Sequence, residues 1–221
     1  VSSRVAQPSA APRRRPSAAA AAARRRAVKR RRRGFLFVAF LGAVALGAAA
    51  LAPLFRTAVR DLSLPLAHEA EIREQARDKR LDPALIAGVI YAESKFVDQT
   101  SSAGALGLMQ LMPETARFIA QRSGGTAFTI EDLSTPAVNI AYGSWYLRYL
   151  LEHYDGDEVL ALAAYNGGIG NVEQWIAEAD ARGEPFSVER IPFAETREYV
   201  DRVREARRQY AATYPDELGI R

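Results

Sequence analysis

A run of 21 residues without a single charge, Phe35 to Phe55, constrains this 221-residue chain more than any other feature. As a helix it would extend about 32 Å, which matches a bilayer hydrocarbon core of roughly 30 Å. The spacing therefore predicts one transmembrane helix over 35–55. Residues 1–34 before it are rich in Ala, Arg, Pro and Ser and show no apolar periodicity, so they are expected to form a disordered basic tail. Basic clusters next to an apolar span stay on the cytoplasmic side, which predicts a cytoplasmic N-terminus and an extracytoplasmic C-terminal part at the cell membrane. A competing reading is a cleaved signal peptide, since Ala48, Ala49 and Ala50 offer a small-residue site after a shorter apolar run.

The overall net charge of +4 averages two unlike regions. Residues 1–60 hold 14 of the 30 Lys and Arg and no Asp or Glu, which leaves 16 basic and all 26 acidic side chains to residues 61–221, a net charge of −10. A folded part this acidic lacks the positive surface that phosphate neutralisation needs, so no nucleic-acid partner is expected. The absence of cysteine removes disulfides, thiol catalysis and zinc fingers together. With two histidines, His68 and His153, a multi-histidine metal site is not expected, and no cofactor is implied. Asp155, Asp157 and Glu158 lack the ordered oxygen spacing of a calcium loop and read as a solvated turn with a helix cap.

From Asp61 onward no alternation of apolar and polar residues is long enough for a sheet, and the fold class is expected to be all-α. Asp82-Pro83 and Thr135-Pro136 each place a capping residue before a proline suited to the first helical position, and Pro113-Glu114 marks a third start. The apolar positions between Pro136 and Tyr154 nearly surround their helix, as expected for a central buried one. Residues 56–65 read as a stalk and 66–221 as the folded domain.

Glu93 is the candidate for chemistry. In the helix that starts at Pro83 it follows Val89 by four residues and Ile90 by three, so it continues an apolar stripe. Burial disfavours the charged form of a carboxyl and raises its pKa, which is the property a general acid needs near neutral pH. A bland alternative is a carboxylate at the helix edge that falls on the stripe by chance.

Four segments sharpen the choice: E-S-K-F from Glu93 to Phe96, S-S-A-G-A-L-G-L-M-Q-L-M-P from Ser101 to Pro113, A-Y-N-G-G from Ala164 to Gly168, and E-T-R-E-Y from Glu195 to Tyr199. Together, and in this order over roughly residues 66 to 210, they resemble the lysozyme-like catalytic domain of the soluble lytic transglycosylases. The resemblance implies a lysozyme-like helical fold of the goose-type lysozyme and transglycosylase kind, peptidoglycan glycan strands as substrate, and cleavage of the β-1,4 bond between N-acetylmuramic acid and N-acetylglucosamine to leave a 1,6-anhydro end. It implies that Glu93 is the sole catalytic acid. It further implies that Ser94, Met109, Gln110, Tyr165, Asn166, Glu195 and Tyr199 bind or position the substrate, with Met109 and Gln110 as a cleft-lining pair. Gly104 and Gly107 would let the loop backbone approach a sugar closely. For Ser94 a hydrogen bond to its own backbone is an equal alternative, and for Glu195 a helix N-terminal role is another. Two further functional readings stand beside the lyase: a hydrolytic muramidase, which shares the single acid, and a non-catalytic wall-binding scaffold.

Overall fold

In the computed structural model the described residues are Leu51 and 63–220. The expected tail and membrane span lie outside them, apart from Leu51, as does most of the expected stalk. No described helix is long and apolar enough to cross a membrane.

Eight α-helices follow in order among the described residues: α1 Glu69–Lys79, α2 Pro83–Ser94, α3 Pro113–Ser123, α4 Pro136–His153, α5 Glu158–Gly167, α6 Ile169–Ala181, α7 Ala194–Thr213 and the short α8 Pro215–Leu218. Their β content is two isolated bridges, Thr100 to Leu106 and Leu106 to Leu111, in the loop before α3. The all-α expectation and the proline-marked starts are met. The Asp82 carboxylate accepts a hydrogen bond from the Ala84 backbone N–H at 2.8 Å, with Pro83 at the first helical position. Asp157 caps α5 through the Leu160 N–H at 3.0 Å, the capping role expected in that acidic turn. Thr135 precedes α4 without a side-chain cap.

The core centres on α2 and α7. Every residue from Ala84 to Ile90 is buried, which an apolar run of that length requires. Gly88 lets α7 approach closely, because a Cβ there would stand 3.0 Å from the Val203 carbonyl oxygen and 3.1 Å from the Arg207 backbone nitrogen. The contact is held at its far end by Arg207, which pairs with Asp82 at 2.7 Å and with Glu158. α4 packs against α1 and α5, with Ile140, Leu147 and Leu150 fully buried. A smaller apolar cluster of Leu111, Ala116, Ile119 and Leu133 forms under α3, and Tyr146 and Tyr165 pack against both clusters.

One boundary differs from expectation. Ser63, Leu64 and Pro65 are anchored to the domain: their carbonyls accept hydrogen bonds from Tyr91 at 3.2 Å, Tyr214 at 2.7 Å and Tyr210, and the Leu64 side chain is buried. Three hydroxyls, from α2, from α7 and from the residue that joins α7 to α8, satisfy backbone that a free stalk would leave to water. The folded unit therefore begins at least at residue 63, not at 66.

Candidate active site

Glu93 lies in the last turn of α2. The helix stops abruptly after it because Lys95 and Phe96 both take left-handed backbone conformations, with φ of 53° and 63°. That reversal sends Phe96 back against Tyr210, with ring centroids 5.8 Å apart, and leaves Glu93 half-buried at the helix end.

Burial pushes the Glu93 carboxyl up from its ordinary value of 4.5 to about 7. Two groups of α7 oppose the shift, the Tyr199 hydroxyl as a donor and the Arg202 guanidinium as a positive charge, while the Glu195 carboxylate reinforces it. Desolvation outweighs them, so near neutral pH both forms of the carboxyl are populated. Tyr199 is 1% exposed, and its hydroxyl meets no partner at full hydrogen-bond geometry. It stands beside Glu93 and favours the charged form of that carboxyl.

Tyr165, near the end of α5, stacks on Tyr199 with ring planes 8° apart and centroids at 6.5 Å. Its hydroxyl donates to the Met109 carbonyl oxygen at 3.0 Å. Burial and the Glu93 charge drive both phenols well above their ordinary range, so neither ionises at working pH. Next to Tyr165, the Asn166 side-chain oxygen accepts from the Thr196 hydroxyl at 2.8 Å, which joins the A-Y-N segment to the first turn of α7 and leaves the Asn166 amide hydrogens for a ligand. Glu195 is exposed in that same turn.

Two expectations for the 101–113 loop change. Met109 does not line a cleft: its side chain is fully buried against Gly143, and the loop's exposed methionine is Met112. Of the two readings of Ser94, the contact with its own helix backbone is present, 3.2 Å to the Ile90 carbonyl, and the hydroxyl also lies 2.7 Å from the Leu108 carbonyl, so it ties helix to loop. Gly107 is needed because a Cβ there would overlap the Asn139 amide, and its φ of 76° is the left-handed region that favours glycine. The close approach it permits is to Asn139 rather than to a sugar.

Gln110 remains half-buried, with its amide nitrogen 2.9 Å from the Gln99 carbonyl and 2.7 Å from that of Gly107, so only its side-chain oxygen is left for a ligand. The reason for these changes is Asn139, which the sequence reading does not single out. Fully buried on α4, it accepts from the Met109 N–H at 2.8 Å and donates to the Leu106 and Leu133 carbonyls at 2.9 and 3.1 Å. Arg202 was also missed, although Glu195, Tyr199 and Arg202 are spaced four and three residues apart on one helix, the spacing of a shared face.

The site thus joins one desolvated carboxyl to a buried and a half-buried tyrosine, an amide and a flanking cation. Among the described residues no group of three or more His, Asp or Glu side chains could hold a metal ion. The chemistry open to the site is proton transfer by Glu93 in either direction near pH 7.

Fold and site together have the character of the lysozyme-like helical class. The chain belongs to the transglycosylase SLT domain family, which matches residues 70–185. It is 34% identical over 147 residues to the soluble lytic murein transglycosylase of Salmonella typhimurium, covering 63% of this chain and 22% of that protein. It is 32% identical over 161 residues to the membrane-bound lytic murein transglycosylase C of Salmonella paratyphi B, covering 63% of this chain and 45% of the relative. The X-ray structure of an inactive variant of lytic transglycosylase Slt from Pseudomonas aeruginosa superposes with a TM-score of 0.62 at 36% identity, over 69% of this chain and 25% of that one. The chain therefore spans about a fifth of the length of the first curated relative. α7, which carries Glu195, Tyr199 and Arg202, lies beyond the family match.

Proposed function

We propose that this protein is a membrane-anchored lytic transglycosylase that cleaves the β-1,4 bond between N-acetylmuramic acid and N-acetylglucosamine in peptidoglycan without adding water. The observation that carries the reading is the half-buried Glu93 carboxyl, raised to about 7 beside Tyr199. In its protonated form Glu93 gives its proton to the departing glycosidic oxygen as the C1–O bond breaks. As a carboxylate it then takes the proton of the muramic acid C6 hydroxyl while that oxygen closes on C1. Glu93 ends as it began, and the product carries a 1,6-anhydro ring. An ordinary glycosidase needs a second carboxylate as nucleophile or base, whereas here the sugar's own hydroxyl takes that part. Glu195 acts on Glu93 through its charge.

Tyr165, Tyr199, Asn166 and the Gln110 oxygen are assigned to orient the sugar about Glu93. Ser94 and Met109 serve the site indirectly, by fixing the loop. The uncharged run 35–55 supplies the anchor, with the basic residues 1–34 in the cytoplasm, residues 56–62 as the connection and the catalytic domain on the wall side. The name of the membrane-bound relative is in keeping with such an anchor.

Mass spectrometry of digested cell wall tests the proposal. Anhydro muropeptides, one water lighter than reducing ends, are the expected products, and Glu93→Gln should abolish their release while leaving the helical circular dichroism spectrum unchanged. Reducing ends alone would make the protein a hydrolytic muramidase. Release by Glu93→Gln at the normal rate would remove Glu93 from the reaction.

A further inference from the structure

A concavity lies between the C-terminal end of α1 and the middle of α4, with a volume of about 410 Å³. None of its lining residues belongs to the group around Glu93. Its wall is aromatic: Trp145 and Tyr149, both half-buried, lie with ring planes 6° apart and centroids at 5.6 Å. Phe118 braces this pair edge-on from α3, at 6.4 Å from Trp145 and 5.3 Å from Tyr149, so the rings are held in place before any ligand arrives. An aromatic wall of this kind suits the C–H face of a pyranose, and a few convergent polar groups around an apolar surface are the usual make-up of a small-ligand site.

The polar groups favour an anion. Lys79 is half-buried, and its ammonium is bonded to the Gln75 amide oxygen, with no carboxylate within ion-pair distance among the described residues. Burial lowers its pKa, the mark of a cation that has lost water without gaining a counter-ion in contact, although the charges of Asp78 and Glu74 act on it from further away. Arg80 adds a second cation, exposed at the rim. Of the two acids in the lining, Glu152 is bound to Arg148 at 2.7 Å and Asp78 is exposed at the rim like Arg80, so three cations against two acids leave one positive charge in excess. Lys79 and Arg80 are left facing a space whose other wall is aromatic.

We propose that this concavity is a second glycan site, which takes a sugar ring together with a carboxylate of the peptide that the sugar carries: the ring lies against Trp145 and Tyr149, and the peptide carboxylate is received by Lys79 and Arg80. This names an additional contact for the acidic substrate of the proposed reaction and rests on that reading for the identity of the glycan. A domain whose folded part is net negative gains from a local positive pocket, because general repulsion between it and an acidic polymer is relieved at one place.

The test uses the whole 221-residue chain in detergent micelles with a purified disaccharide-tetrapeptide from peptidoglycan as probe. Trp175→Phe leaves Trp145 as the single tryptophan, since the chain has two. Titration should then give a saturable change in Trp145 emission, and Lys79→Gln should weaken the affinity at least tenfold. If Trp175→Phe folds poorly, the same signal is read as the difference between the wild-type chain and Trp145→Phe. Unchanged Trp145 emission up to millimolar probe overturns the site, as does an affinity that Lys79→Gln leaves intact or that a neutral N-acetylglucosamine trimer equals. Cleavage of cell wall is measured separately on the same preparations. Saturable binding without cleavage would reject the lytic reading and keep this site, and cleavage without binding would do the reverse.

Discussion

The Tyr199 hydroxyl is buried beside the Glu93 carboxyl with no partner at full hydrogen-bond geometry, and it favours the charged form of that acid. Tyr199→Phe removes this donor. The Glu93 pKa is expected to rise further, and the pH profile of kcat/KM should move to higher pH. Stability should change by no more than about 1 kcal/mol, because the hydroxyl is poorly satisfied in the folded state. Arg202→Ala should move the profile in the same direction, through loss of a positive charge. A shift to lower pH in either variant would mean that these groups do not face the carboxyl as described.

The same acid makes folding depend on pH. Its pKa is about 7 in the folded chain against 4.5 when exposed, so between those values the folded state holds a proton that the unfolded state has lost. Stability from this group is full below about pH 4.5 and falls as pH rises through about 7, by on the order of 3 kcal/mol for a shift of this size. Glu93→Gln should abolish that dependence and be the more stable protein at pH 8. Urea midpoints of both proteins at pH 5 and pH 8 measure the difference.

Asn139 makes three hydrogen bonds, all to backbone, two to the 101–113 loop and one to Leu133. Asn139→Ala would strand one buried N–H and two carbonyls, each a desolvated group costing about 1–3 kcal/mol. A loss of about 3 kcal/mol or more in chemical denaturation is expected. Preserved stability would show that the loop does not depend on this anchor.

Met109 separates packing from substrate contact. Met109→Ala should cost about 2–5 kcal/mol of stability as a cavity opens against Gly143, while Met109→Leu should be tolerated to within about 1.5 kcal/mol. KM for cell-wall fragments should be unchanged in Met109→Leu. A raised KM at unchanged stability would return Met109 to the binding surface.

Much of this was legible in the sequence where the signal is local. Asp82-Pro83 fixes the start of α2, and ten residues of helix then carry Glu93 onto the apolar stripe, so both its place and its raised pKa follow from periodicity and desolvation. The loop was less legible because side-chain direction there depends on backbone conformation. Gly107 and Gln110 both take positive φ, at 76° and 47°, and the turn between them aims Met109 inward and Gln110 to the edge. Adjacent letters in a motif carry no record of that inversion. Asn139 reads as an ordinary polar residue on a helix until the loop it serves, some 30 positions earlier, is folded against it. The aromatic residues of α4 carry helical periodicity but no sign of which edge stays open, so the pocket beside Trp145 needed coordinates.

The central claim is that Glu93 keeps its proton close to neutral pH, and a direct titration of its side-chain carboxyl tests it. The ¹³C signal assigned by its loss in Glu93→Gln should titrate near pH 7 in the wild-type chain. A midpoint at the ordinary value of about 4.5 would contradict the account, since the carboxyl would then hold no proton to give at the pH where the reaction is proposed to run.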